Sequence, residues 1–360
     1  MHKKLFIPGP TEVSNDVLVQ QGKPLIGHRP KEFTELFTGI ISKIKKYFEI
    51  TSNHIIVHTA TGSMFFDATA RNFLAPDRKA LSATCGAFSE RMAQSIKNCG
   101  KEVDVLEVDW GKATNEDMIM EKLALDEYDV LTVVHNETST GVRNPIYKIG
   151  ERLQKEFPDV IYSIDSVSGM AGDLVLPEKI NSDLIFASTQ KCFALPPGLS
   201  VAFVSERAYE RAKTIDGRGY YTDIVGLIDY YKKKGQTPST PNISLLYALD
   251  YQLDKMLKEG HQQRYERHKE MATYTQEWAK KLGFELFAEP GYESITVTTI
   301  SNTLEKNIAD LNKALSPRGF MISNGYGKLE EKTFRIGHMG DWTLAGVKEV
   351  LWHIEDIWGL

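Results

Sequence analysis

The chain has 360 residues, 42% hydrophobic and 25% charged, with a mean hydropathy of -0.30 and no apolar run of the roughly 18 residues a membrane span needs. Its 43 Lys and Arg against 48 Asp and Glu give a formal net charge of -5, interspersed along the chain, which argues against a nucleic-acid partner. Cys85, Cys99 and Cys192 lack the CxxC spacing of zinc or redox pairs and the even count of a disulfide framework, so the expectation is a reducing, cytoplasmic setting without a metal site.

The length exceeds one ordinary core and predicts a large domain with a smaller partner. The amino terminus, MHKKLFIPGPTEVS, is basic but reaches Pro8 and Pro10 before any useful apolar stretch, unlike a signal peptide. From about residue 50, β-rich runs alternate with helical ones: HIIVHTA then GSMFFDATARNFL, KALSAT then AFSERMAQSIKN, KEVDVLEV then a helix over 115–124. YDVLTVVH, a helix over 145–157, DVIYSIDS, SDLIFAS and LSVAFVS continue the series. Such alternation predicts an α/β fold whose mostly parallel sheet lies between helices, with the site at the carboxyl ends of the strands. Past residue 206 the pattern changes: residues 220–235 are rich in Tyr and Lys, and a helical region covers 244–282. Strands near 293–299 and 333–336 and helices near 304–315 and 343–357 predict a smaller α+β domain. The expected division is an entrance segment at 1–15, a large domain at 16–255 and a small domain at 256–360.

The strand ends carry the chemistry. Thr61, Gly62 and Ser63 open a helix and suit a phosphate at its positive end, although an ordinary Ser or Thr cap reads the same way. Phe88, after Cys85-Gly86-Ala87, is an aromatic able to stack on a planar ligand or to fill a core. Residues 135–141, HNETSTG, are a polar run at the sheet's carboxyl edge that reads equally as turn chemistry or as the lining of a site. Asp165 ends an apolar strand, where a carboxylate wants a cationic or hydrogen-bonding partner. Lys191 follows one strand later, between an apolar run and the bend Pro196-Pro197-Gly198. A phosphate cradle, a ring plate, an anion and a lysine are what pyridoxal phosphate needs, and the chain offers them at successive strand ends.

With PGPTEVS (8–14), GHRPKEF (27–33), TGS (61–63), GAFSER (86–91), ETSTGV (137–142), IDSVSG (164–169), STQKCFALPPGLS (188–200), QTPSTPNIS (236–244) and FRIGHMG (334–340), the chain resembles the fold-type I, class V aminotransferases of the alanine:glyoxylate, serine:pyruvate and serine:glyoxylate branch. The resemblance implies a seven-stranded large domain and pyridoxal phosphate held by a Lys191 Schiff base. It implies Asp165 as partner of the pyridine nitrogen and Gln190 beside the phosphate side. Thr61, Gly62 and Ser63 would hold the phosphate, Phe88 and Val167 would face the two sides of the ring, and Thr138 would lie near its phenolic oxygen. A homodimer is implied, the partner completing the cradle through Gln236, Thr237 and Ser239. Arg335 would clamp the substrate carboxylate, with Gly9 of the Pro8-Gly9-Pro10 entrance loop touching substrate.

The expected reaction is amino transfer from a small amino acid, alanine or serine, to a 2-oxo acid such as glyoxylate or pyruvate. Alternatives left open are a 2-aminoethylphosphonate, phosphoserine or aspartate transaminase, for which His28 and Arg29 are the candidate extra basic groups, a class V lyase or desulfurase, and a scaffold that has lost the chemistry.

Overall fold

The alternation between residues 54 and 204 folds into one seven-stranded sheet. In the computed structural model, which describes residues 2–360, the chain opens with β1 (Lys4–Phe6), α1 (Asn15–Gln20) and α2 (Lys31–Tyr47). The sheet is then built through β2 (His54–His58), α3 (Met64–Phe73), β3 (Lys79–Thr84), α4 (Ala87–Asn98), β4 (Glu102–Glu107), α5 (Glu116–Leu123) and β5 (Tyr128–Val134). A small hairpin, β6 (Asn136–Glu137) and β7 (Val142–Arg143), leads to α6 (Ile146–Glu156), β8 (Ile161–Asp165), α7 (Pro177–Ile180), β9 (Leu184–Ser188) and β10 (Ser200–Val204).

The strand order is β2-β10-β9-β8-β5-β3-β4, and β10 alone runs antiparallel to its neighbours. All residues of β5, β8, β9 and β10 are buried, as expected of strands covered on both faces. Register places the chemistry: Val134 pairs with Asp165 and Asp165 with Phe186, so the residues leaving β5, β8 and β9 emerge side by side. Because β10 is reversed, its first residue, Ser200, pairs with both Ser188 and His58. That brings the loop after β2, with Thr61 and Gly62, against the end of β9.

The chain continues through α8 (Glu206–Lys213), α9 (Ile224–Lys234), α10 (Ile243–Glu259) and α11 (His261–Lys281) to β11 (Glu285–Leu286), β12 (Val297–Ser301), α12 (Ile308–Leu315), β13 (Phe320–Asn324), β14 (Thr333–Gly337) and α13 (Leu344–Trp358). The helical region expected over 244–282 is two helices, broken at Gly260, whose φ of +88 is the left-handed range that favours glycine. The strand expected over 293–299 starts later, at Val297, because the preceding residues hydrogen-bond across to the β6–β7 hairpin region, as in Ser294 N to Gly141 O at 2.8 Å.

A second sheet, ordered β1-β13-β14-β12-β11, includes β1 paired in parallel with β13, Lys4 opposite Phe320. Residues 4–6 of the expected entrance segment are thus part of the C-terminal sheet. Phe6 is fully buried and stacks on Trp342 at 3.8 Å between ring centroids; burying such a side chain is worth about 1.5–3 kcal/mol and ties the entrance loop that follows.

Candidate active site

The apolar strand β9 delivers Lys191 to the sheet edge, and the backbone behind it is fixed: Thr189 N donates to Leu199 O and Leu195 N to Thr189 O, both at 3.0 Å. The Lys191 ammonium donates to the carbonyl of Pro8. Burial lowers its pKa from the ordinary 10.5 to about 8, against the opposing attractions of Cys192 and Asp165. Gly9 explains itself here: its φ is +131, and a Cβ on it would lie 2.2 Å from Lys191 Nζ. Thr11 N donates to Gln190 O at 3.0 Å, so residues 8–11 lie directly over the lysine turn.

Asp165 is 4% exposed. Val167 N donates to its Oδ1 at 2.8 Å, and no ion pair meets it among the described residues. Burial first, then the nearby Glu137 charge, raise its pKa to about 7, although Val167, Lys191 and Arg91 act in the other direction. A cation placed against this carboxylate would reverse the penalty.

Between these groups lies a cavity of about 220 Å³. Thr61, Gly62, Ser63, Phe88, Thr138, Asp165, Val167, Gln190 and Lys191 all line it, nine expected residues brought to one place. Gly62 N donates to Ser188 Oγ at 2.5 Å, and a Cβ at Gly62 would stand 2.5 Å from Val167 Cγ2. Ser63 occupies the cap position of α3 but makes no side-chain bond to it, which leaves its hydroxyl to the cavity rather than to helix capping. Gln190 Oε1 is buried without a partner among the described residues. Thr138 Oγ1 and Ser168 Oγ share a hydrogen bond of 2.6 Å.

Arg335 lies behind Thr138, buried to 7% exposure. It donates to Thr138 O at 3.1 Å and to Asn324 O at 3.1 and 3.2 Å, and burial lowers its pKa to about 10. Neither Arg335 nor Gly9 lines the cavity itself, and Gln236, Thr237 and Ser239 do not line that of their own chain. Gln236 Nε2 donates to Arg29 O and Thr34 Oγ1, both at 2.8 Å, and Thr237 Oγ1 donates to Ser239 O at 2.8 Å. Arg29 donates to the carbonyls of Thr237 and Pro238, which fixes this loop.

The model of the family described as aminotransferase class-V matches residues 19–329. The chain belongs to the class V aminotransferases. It is 40% identical over 354 residues to an uncharacterized aminotransferase of Methanocaldococcus jannaschii, covering 97% of this chain and 90% of that one. It is 30% identical to a serine:glyoxylate aminotransferase of Methylorubrum extorquens, covering 94% and 86%. In fold it matches the alanine:glyoxylate aminotransferase of a Nostoc species with a TM-score of 0.93 at 24% identity, over 99% of this chain and 96% of that one.

This class V aminotransferase is a transaminase that uses pyridoxal phosphate, and its residues fit the cofactor. The buried Asp165 lacks a cation that a protonated pyridine nitrogen supplies, the loop after β2 is stripped of side chain at Gly62, and the lysine amine opens on the same cavity. Asn136, of the polar run at 135–141, also lines it, as do Ser168, Ser188 and Arg91, which were not among the expected site residues. Glu137, in the same run, has a different part. Glu137 is fully buried and accepts from Phe88 N at 3.2 Å, Ser89 N at 2.9 Å, Ser89 Oγ at 3.0 Å, Ser139 N at 3.2 Å and Ser139 Oγ at 2.6 Å, so it caps α4 and fixes Phe88. Arg91 had a signal: it stands three residues after Phe88 on α4, hence on the same face.

Proposed function

We propose that the enzyme transfers the amino group of a small amino acid, alanine or serine, to a 2-oxo acid such as glyoxylate or pyruvate. The observation that carries this reading is the buried Lys191 amine, its pKa lowered to about 8, facing the unpaired Asp165 across one small cavity. When bound, pyridoxal phosphate supplies an aldehyde carbon for the amine and a ring that accepts the electron pair left at the substrate Cα. Lys191 Nζ would take the proton from the substrate Cα and hold it for return, a general acid–base role typically worth ~10²–10⁴ in rate. Asp165 would keep the ring nitrogen protonated. Thr61, Gly62 and Ser63 would hold the phosphate, Phe88 and Val167 would face the ring, and Thr138 and Gln190 would lie at its polar edge. Arg335 would receive the substrate α-carboxylate as a bidentate fork, and Gly9, with no side chain, leaves room beside Lys191.

The basic pair that would have favoured a phosphonate gives no support: Arg29 is spent on Thr237 O and Pro238 O, and His28 Nε2 lies 3.4 Å from Thr240 Oγ1. The chain acts as a homodimer on this reading, with the rigid loop carrying Gln236, Thr237 and Ser239 completing the partner's phosphate cradle. Both amide hydrogens of Gln236 serve its own chain, which gives that residue a supporting part there. Incubating the cofactor-loaded enzyme with alanine or serine and glyoxylate should yield glycine together with pyruvate or hydroxypyruvate. Failure of every such pair would remove the assignment of substrates.

A further inference from the structure

One guanidinium, that of Arg91, lines the cavity, and a second, that of Arg335, lies behind Thr138 on its wall. Arg91, exposed on α4, places its guanidinium carbon 4.9 Å from the Phe88 ring centroid and donates from Nη2 to Tyr326 Oη at 2.7 Å. The Phe88 and Tyr326 rings lie 5.4 Å apart, and the guanidinium carbon of Arg335 lies 5.5 Å from the Tyr326 ring. Two guanidinium groups therefore flank one phenol. Among the described residues neither is in an ion pair: Arg335 donates to backbone carbonyls and Arg91 to the phenol. Three acids lie nearby, and Asp165, whose charge also attracts Arg91, is given to the pyridine nitrogen on the amino-transfer reading. Glu137 attracts Arg335 but its oxygens already meet five donors on α4 and the β6–β7 turn, and Glu90 accepts from Trp110 Nε1 at 2.6 Å.

Stacking on Phe88 and the bond to Tyr326 hold the Arg91 fork at the cavity wall with most of its five N–H donors uncommitted. A planar guanidinium held in place without a counter-charge is suited to a carboxylate arriving with a ligand. We propose that Arg91, oriented by Phe88 and Tyr326, binds the second acidic group of a short dicarboxylic substrate, so that the site accepts an acidic amino acid or its 2-oxo acid beside the small neutral donor. This rests on the amino-transfer reading of the same cavity, in which Arg335 takes the α-carboxylate.

The test is equilibrium binding of two unreactive probes, succinate and propionate, to the cofactor-loaded enzyme by calorimetry, together with kcat/KM for aspartate and alanine. Wild type should bind succinate at least tenfold more tightly than propionate. Arg91→Gln should lower that preference, and the aspartate-to-alanine ratio of kcat/KM, by about 10- to 100-fold, the range for hydrogen bonds to charged groups, mainly through the KM for aspartate. Arg91→Lys should retain part of the preference, and Tyr326→Phe should lower it by less than Arg91→Gln. Equal binding of the two probes by wild type would overturn the proposal, as would a ratio unmoved by Arg91→Gln or an equal loss for both substrates. A succinate preference that depends on Arg91 in an enzyme inert toward alanine, serine and aspartate would uphold the acid site while removing the proposed donors.

Discussion

Replacing Asp165 by Asn should stabilise the cofactor-free enzyme and disable the loaded one. Asp165 is 4% exposed and burial raises its pKa from the ordinary 3.8 to about 7. The folded state therefore holds this proton more tightly than the unfolded chain does. Below pH 4 the carboxyl is protonated in both states and costs nothing; as pH rises to 7 ionisation increasingly favours the unfolded chain, and above 7 the penalty is complete. At about 1.4 kcal/mol per tenfold change in proton affinity, the rise from 3.8 to about 7 corresponds to ~4 kcal/mol as an upper bound. Asn can still accept from Val167 N and carries no charge to bury. Urea unfolding of the cofactor-free proteins at pH 5 and pH 8 measures the effect: wild type should lose more stability than Asp165→Asn over that interval, and the variant should be the more stable by a few kcal/mol at pH 8. With pyridoxal phosphate bound the order should reverse, because the ring nitrogen loses its counter-charge. A variant less stable than wild type at pH 8 without cofactor, with an unchanged pH slope, would refute the reasoning.

Attachment of pyridoxal phosphate to the cofactor-free enzyme, followed by stopped-flow absorbance, should quicken about tenfold per pH unit up to about pH 8 and then level, because burial leaves the Lys191 amine largely unprotonated above that value. Gly62→Ala should weaken cofactor retention about tenfold or more on dialysis: its Cβ would meet Val167 Cγ2 at 2.5 Å and Ser188 Oγ at 2.8 Å, and relieving such overpacking costs about 1–3 kcal/mol. Arg264→Met should lower unfolding stability by ~1–3 kcal/mol: Glu259 keeps Arg267 and Asp341 keeps Lys255, but the buried carbonyl of Ala171 loses its guanidinium donor. The same change should loosen the cofactor, because Arg264 also donates to the carbonyl of Cys192, the residue after Lys191, at 2.7 Å.

The parts legible in sequence were those whose signal is local. KALSAT and AFSERMAQSIKN fold as β3 and α4 over the same residues, since alternation and helical spacing can be read within one window. Asp165 and Lys191 were visible as charged groups at the ends of apolar strands. What escaped depends on distant partners. β1 is three residues long and exists through its pairing with Phe320–Asn324 at the far end of the chain. Ser188 reads as the last residue of a strand until the reversed β10 brings Gly62 N against its hydroxyl. Arg264 looks like one more charge on a polar helix, yet it is 2% exposed because α11 carries it into the junction with the lysine turn. Glu137 was in view as part of a polar run, but its capping of α4 required knowing that β5 and β3 are neighbours.

The most direct test of the account is a single-turnover measurement on cofactor-loaded wild type and Lys191→Ala, mixing each with alanine alone and then adding glyoxylate. Wild type should release close to one pyruvate per site before glyoxylate is added and one glycine afterwards, while Lys191→Ala should release neither at a comparable rate. Pyruvate and glycine formed by Lys191→Ala at the wild-type rate would contradict the assignment of the proton-transferring amine to Lys191.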